Sequence, residues 1–155
     1  MLRLNFEEEG KKVTSKLDEL EQRIIADMRK VYSQKAIDHA MNPQNVGRIK
    51  DADGYARVTG PCGDTMEISL RVRKRKVLDA KFWTDGCGTS IACGSVATGL
   101  IKGKSVAGAQ KVDSESILNA LDGLPESNVH CAVLASDTLR AAIKNYLASI
   151  RAKVK

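Results

Sequence analysis

Apolar residues recur at spacings of three and four over Val13, Leu17, Leu20, Ile24, Met28 and Val31, with Lys16, Asp18, Glu19, Glu21, Gln22 and Arg23 between them. That period predicts a helix from about residue 13 with a narrow apolar stripe. A narrow stripe suits a helix that covers its own domain or one that faces a partner chain, and the pattern leaves both open. Residues 1–12 lack the period and are expected to fray. The helical region continues through Tyr32-Ser33-Gln34-Lys35-Ala36-Ile37-Asp38-His39 and should end at Asn42-Pro43, since a residue before proline is pushed out of the helical region. Gln44 to Asp53 reads as loop.

The period then changes to two. Gly54 to Thr59 is a short strand-like run. Thr65 to Val72 alternates cleanly, with Met66, Ile68, Leu70 and Val72 on one face and Thr65, Glu67, Ser69 and Arg71 on the other. Val77 to Thr84 places Leu78, Ala80 and Phe82 on one side. Trp83 falls on the opposite side, so part of that face is expected to be covered too. The short connections predict an antiparallel meander, and the one-faced alternation predicts helices packed on one side.

A helical pattern returns after Cys87. Thr89 or Ser90 can cap its start. Ala92, Cys93, Val96, Ala97 and Leu100 share one arc, and the helix should stop near Gly103. A short helix follows, capped by Asp113, with Ile117, Leu118 and Leu121 inside and Gly123 then Pro125 ending it. The last helix starts near Cys131 and carries Ala135, Leu139, Ala142, Ile143, Tyr146, Leu147 and Ile150. The fold class is therefore α+β: a three-stranded antiparallel sheet with helices on one face and an N-terminal helical extension. The extension is assigned to residues 1–31 and the main domain to residues 32–150.

Composition narrows the function. A 155-residue chain with 43% hydrophobic and 28% charged residues fits a soluble globular protein. No apolar run approaches the roughly 20 residues that span a bilayer. The N-terminus lacks a signal peptide's apolar segment, so a cytoplasmic location without membrane contact is expected. The net charge of +6 sits largely in Arg71-Val72-Arg73-Lys74-Arg75-Lys76 and in the tail Arg151-Ala152-Lys153-Val154-Lys155. The first run falls on an expected hairpin tip. Aromatics make up only 4% of the chain, so no nucleic-acid partner is expected.

Four cysteines in a reducing compartment suggest ligands, nucleophiles or core residues rather than disulfides. Cys62 lies in the turn Gly60-Pro61-Cys62-Gly63-Asp64, which leaves its thiol and the Asp64 carboxylate near one point. Cys87 lies in Gly86-Cys87-Gly88 at a strand-to-helix junction. Cys131 follows His130 at a helix start. Thiols at helix N-termini ionise more readily, and thiolate is the form that binds metal or attacks sulfur. The separations, 25 and 44 residues, match no zinc finger. Convergence of the three cysteines on a metal and their being separate small buried residues both stay open on spacing alone. Asp64 could equally close its own turn, and His130 could cap its helix. His39 reads as structural. Cys93 falls inside the apolar arc and reads as a buried thiol.

Several motifs in order resemble the IscU/NifU-type iron–sulfur cluster assembly scaffolds. They are Tyr32 to His39 with Asn42-Pro43-Gln44-Asn45-Val46-Gly47, Asp51-Ala52-Asp53-Gly54, Cys62-Gly63-Asp64, Asp79-Ala80-Lys81-Phe82 with Gly86-Cys87-Gly88, Ile101-Lys102-Gly103-Lys104-Ser105, and His130-Cys131 with Leu134-Ala135-Ser136-Asp137. The likeness covers about residues 32 to 147. It implies a SufE/NifU-like fold, in agreement with the pattern. It also implies that Cys62, Cys87 and Cys131 bind a nascent cluster, with Asp64 or His130 as fourth ligand. Thiolates suit iron–sulfur clusters, and a harder fourth ligand leaves an opening for exchange.

The resemblance further implies a scaffold, not an enzyme. Its sulfur comes from a cysteine desulfurase, its iron and electrons from donor proteins, and its cluster goes to acceptor apo-proteins. The cluster implied is 2Fe–2S, with 4Fe–4S reachable by coupling across a homodimer; Tyr32 matches a tyrosine implicated in pairing and reads equally as an ordinary half-buried aromatic. Zinc accepts the same ligands. The competing readings are therefore a zinc-stabilised module with no sulfur chemistry and a zinc-binding sulfurtransferase like the SufU relatives. Those carry an insertion between the second and third cysteines, for which the 44-residue separation leaves no room. Two departures stand out. Leu124-Pro125-Glu126-Ser127-Asn128-Val129 replaces the family's Leu-Pro-Pro-Val-Lys, so partnership with an Hsp70-type chaperone is in doubt. Cys93 replaces a usual serine.

Overall fold

The computed structural model describes residues 2–154, with side chains from residue 9 onward. The chain divides into two compact units, Met1–Tyr32 and Ser33–Lys155.

The first unit is one long helix, α1 (Leu2–Arg29). It begins eleven residues before the apolar period does. Residues 2–12 are mostly good helix formers, and the single Gly10 costs only about 1 kcal/mol relative to alanine, so the helix runs through it. Val13, Leu17, Leu20 and Ile24 are exposed along one stripe.

The second unit opens with α2 (Gln34–Met41), separated from α1 by a break that the periodicity did not mark. The break has a local cause: the Ser33 hydroxyl accepts the Ala36 N–H at 3.0 Å and caps α2. Three strands follow, β1 (Gly54–Thr59), β2 (Thr65–Arg73) and β3 (Lys76–Thr84). They form an antiparallel sheet in the order β1-β2-β3, with Ile68 paired to Ala56 on one side and to Phe82 on the other. Lys74 and Arg75 turn the β2–β3 hairpin with positive φ, an exposed basic tip as expected.

One side chain departs from the expected face. The β2–β3 register shifts between Arg71, which pairs with Asp79, and Val72, which pairs with Val77. Leu78 is the extra residue of this bulge, and a bulge reverses the alternation beyond it. Leu78 is consequently 63% exposed, and Val77 takes the core position at 1%.

Four helices complete the unit: α3 (Gly88–Ile101), α4 (Val106–Ala109), α5 (Ser114–Ala120) and α6 (Val129–Val154). Helix α6 packs on β1 and β2, and α3 on β3. They cover the face that carries Met66, Ile68, Leu70, Ala80 and Phe82, all buried. Helix α3 lies so close to β3 that a Cβ on Gly94 would stand 2.4 Å from the Phe82 ring. The close fit buries every residue of α3 from Ala92 to Thr98, not just one arc. Asp113 caps α5 in a capping box, as its position predicts.

The second face of the sheet is covered as well, by the loop from Gln44 to Asp53. Gly47 donates to the Phe82 carbonyl at 2.8 Å and Phe82 donates back to Asn45 at 2.9 Å. Farther along, Ile49 N–H reaches the Ser69 hydroxyl at 3.0 Å. Arg71 donates to the carbonyls of Lys50 and Asp51 at 2.7 and 2.8 Å. Trp83 lies under Arg48, whose guanidinium carbon is 4.8 Å from the ring centroid. The cover expected over Trp83 is therefore polar loop.

Candidate metal centre

The centre is assembled where three chain reversals meet. The first is the turn Gly60–Asp64 between β1 and β2. Gly60 N–H closes onto the Asp64 carbonyl at 2.8 Å, and Gly63 N–H onto the Gly60 carbonyl at 3.0 Å. Gly63 has φ +89 with open space around its Cα, a conformation that suits glycine. This turn exposes Cys62 and leaves Asp64 half-buried.

The second reversal joins β3 to α3 and is tied to the first. The Asp85 carboxylate accepts the Thr65 N–H at 2.7 Å, and the Thr84 hydroxyl donates to the Thr65 carbonyl at 2.7 Å. Those bonds bring Gly86 against Asp64. A Cβ at position 86 would lie 2.6 Å from Ser90 Oγ and 2.8 Å from Asp64 Oδ2, so only glycine lets the two segments close. Cys87 itself is the N-cap residue of α3, in extended conformation. The expected caps, Thr89 and Ser90, lie instead inside the helix, because the helix begins at Gly88.

The third reversal is the start of α6. A single 3₁₀ turn, Glu126–Asn128, leads into it, so the helix begins at Val129, two residues before Cys131. Cys131 is thereby in the first turn, 1% exposed.

One ligand atom each from Asp64, Cys87 and Cys131 lies within 4.8 Å of the others. A tetrahedral ion with metal–sulfur bonds of about 2.3 Å needs sulfurs roughly 3.8 Å apart. The three donors are therefore close to the spacing that one metal imposes, and two thiols with a carboxylate suit iron or zinc chemically. Of the remaining sequence-predicted residues, His130 has Nε2 3.6 Å from Cys131 Sγ but is not part of the converging trio. Cys62 stands outside the trio on its exposed turn. His39 bonds the Ser95 hydroxyl at 2.8 Å, a structural contact.

The thiols differ in chemistry. For Cys87, partial burial raises the pKa, but the N–H groups of Ser90 and Thr89 and their hydroxyls outweigh it and hold the thiol below its ordinary value. Cys131 is pushed up to about 11, by burial first, against the opposing pull of the Ser90 hydroxyl and with Cys87 and Asp64 adding to the rise. Burial also drives Cys93 upward; it sits fully buried on the core side of α3 and is a core thiol. The exposed Cys87 is thus the readier nucleophile, and Cys131 becomes a strong donor once a metal displaces its proton.

Ser90 was not foreseen as part of the centre. Its hydroxyl donates to Asp64 Oδ2 at 3.1 Å and lies 3.4 Å from Cys131 Sγ. The available signal was a hydroxyl three residues after Cys87, one helical turn on, in a helix otherwise bound for the core.

A family model described as the NifU-like N-terminal domain matches residues 31–153. Over 117 residues the chain is 46% identical to iron–sulfur cluster assembly scaffold protein IscU 1 of Archaeoglobus fulgidus, a span of 75% of this chain and 76% of that protein. To the IscU scaffold protein of Escherichia coli K12 it is 41% identical over 127 residues, 79% of this chain and 98% of that one. Among solved structures it is similar to a SufU iron–sulfur cluster assembly scaffold protein of the SUF system from Fervidobacterium islandicum AW-1. The TM-score is 0.61 at 23% identity, covering 72% of this chain and 96% of that one. A NifU-like N-terminal protein from Brucella abortus gives 0.59 at 20% identity, covering 78% and 97%. At those identities the two structures speak for the fold alone.

Proposed function

The chain belongs to the NifU-like N-terminal domain family, together with the IscU scaffolds, and on that premise we propose that it assembles iron–sulfur clusters on Cys62, Asp64, Cys87 and Cys131 and passes them to acceptor proteins. The observation that carries this reading is the convergence of Asp64, Cys87 and Cys131 within 4.8 Å at three chain reversals. Cys62, on an exposed turn with glycine at its hinge, is the ligand that swings in to complete the set. Asp64 is the fourth ligand in preference to His130, since it already stands among the converging donors.

Sulfur arrives by thiol–persulfide exchange. An exposed thiolate, Cys87 or Cys62, attacks the outer sulfur of a persulfide on a cysteine desulfurase. The sulfur–sulfur bond breaks, and the desulfurase cysteine leaves as thiolate. Converting the transferred sulfur to sulfide takes two electrons, which an electron donor supplies. With iron from its own donor the product is a 2Fe–2S cluster, and reductive coupling of two such clusters in a homodimer gives 4Fe–4S. The carboxylate is a poor match for this soft cargo, which lets the acceptor's thiols displace it first.

The zinc sulfurtransferase reading is not favoured, because the curated relatives at 46% and 41% identity are named as scaffolds. The deciding experiment is anaerobic reconstitution with ferrous iron, cysteine and a desulfurase, followed by absorption spectroscopy. Visible sulfur-to-iron charge-transfer bands are expected. Their absence, with zinc retained and persulfide accepted, would return the sulfurtransferase.

A further inference from the structure

Three donors converge at the centre, yet a single side chain ties two of them together. Ser90 is 0% exposed. Its hydroxyl stands between Asp64 Oδ2 at 3.1 Å and Cys131 Sγ at 3.4 Å. Among the described residues it is the hydrogen-bond partner of the Asp64 side chain, and no lysine or arginine pairs with that carboxylate. Gly86 removes the one side chain that would push Ser90 and Asp64 apart. The geometry is specific to this pair: the helix start fixes the serine Cβ, and the turn Gly60–Asp64 fixes the aspartate backbone.

A serine hydroxyl carries one donor proton and two acceptor lone pairs. It can therefore donate to the carboxylate, to the Cys131 sulfur or to the Cys87 sulfur it also supports, but to only one of them at a time. We propose that Ser90 is the positioning residue of the centre, holding Asp64 and Cys131 in ligand register and, by turning its O–H from the carboxylate to the sulfur, exchanging support between the releasable ligand and the permanent one. While the O–H points at Asp64, the carboxylate is oriented toward the metal. When it turns to the Cys131 sulfur, the Asp64 carboxylate loses that hydrogen bond and can leave. The inference rests on the reading of these residues as a metal centre, but not on which metal or cluster they carry.

The test is a double-mutant cycle with Co(II) on the whole chain. Co(II) bound to thiolates reports affinity through its charge-transfer absorption and ligand geometry through its d–d bands. Ser90→Ala keeps the Cβ and places the best helix former in the helix, so the apo protein folds, and its urea midpoint serves as the control. Loss of an outer partner of a metal ligand typically costs about 10- to 100-fold in affinity. That loss is expected for Ser90→Ala, with altered d–d bands. In an Asp64→Ala background the same substitution should cost much less, because its main target is gone. An equal loss in both backgrounds, or wild-type affinity and bands in Ser90→Ala, overturns the proposal. The outcome is separable from that of the scaffold reading. A chain that builds no iron–sulfur cluster but shows the coupled Co(II) loss would keep the role of Ser90 and lose the cargo.

Discussion

Asp64 and Glu67 are three residues apart, one just before β2 and one inside it, and they end in opposite circumstances. Glu67 lies under the loop from Gln44 to Asp53, 5% exposed. Arg48 donates to it at 2.6 Å, the Tyr55 hydroxyl donates to its other oxygen, and Arg57 stands 3.9 Å away. Both arginines also lie over the Trp83 ring, at 4.8 and 6.0 Å. The Arg48 hydrogen bond, ahead of the opposing effect of burial, holds the Glu67 carboxyl below its ordinary value. Asp64 has one hydroxyl and two thiols for company. The contrast teaches what makes a carboxylate available. Glu67 has its lone pairs committed to cations and a phenol, so it stabilises the sheet. Asp64 keeps lone pairs free beside two sulfurs, and free lone pairs are what a metal needs.

The largest effect that sharpens this contrast is at the sulfurs. Cys131→Ala and Cys87→Ala should each abolish the iron–sulfur absorption after reconstitution, since a cluster is held by thiolates. Glu67→Ala should leave that absorption at the wild-type level, once any unfolded fraction is removed. Cluster loss in Glu67→Ala with the fold intact would mean that the two carboxylates do not divide the work as described.

Next in size is the exchange of effects between the two carboxylates. Asp64→Ala should slow transfer to an acceptor apo-protein and lengthen the lifetime of the bound cluster, because the displaceable ligand has gone. It should leave the urea midpoint of the apo protein nearly unchanged, as a single hydrogen bond from Ser90 is at stake. Glu67→Ala should do the reverse. It strips a buried hydrogen-bonded charge from a phenol and an arginine, a cost of roughly 1–3 kcal/mol, and leaves transfer kinetics alone. Stopped-flow transfer assays and urea titrations of both variants measure the crossing. Unchanged transfer in Asp64→Ala would remove Asp64 from the ligand set.

Much of this contrast could be read in the chain, and the unread part has physical causes. The alternation Met66, Ile68, Leu70 located the core face of β2, because burial on one face writes a period of two. The same alternation marked Glu67, Ser69 and Arg71 as a polar face, but it could not say that a loop would bury them. Backbone carbonyls such as those of Lys50 and Asp51 leave no trace in the pattern of side chains. Leu78 was misplaced for a related reason: a bulge adds one residue to a strand without changing its composition. Of the side chains that meet near one point, Cys87 was singled out by its flanking glycines and Asp64 by its turn. Ser90 was not, since a serine near a helix start has a commoner use as a cap. Its role follows from a contact to Asp64, 26 positions away, which only the tertiary fold creates.

The smallest expected effect concerns acid, and it separates the two carboxylates by their linkage to folding. The folded Glu67 carboxyl is held below its ordinary value, by the Arg48 hydrogen bond first. Such a group adds stability that is present above its unfolded pKa and lost as pH falls through its folded one. The contribution of Glu67 should therefore be constant from neutral pH down to about pH 5 and decline below it. Arg48 and Arg57 are 55% and 58% exposed, so water and salt screen the pairs, and the ionic part should be small. Glu67→Gln retains hydrogen bonding but cannot titrate. The stability difference between wild type and Glu67→Gln, from urea midpoints, should shrink as pH falls below about 4.5 and as salt is raised at neutral pH. A difference that stays flat across both series would show that the Glu67 charge adds nothing, and that the cluster over Trp83 holds by packing and neutral hydrogen bonds alone.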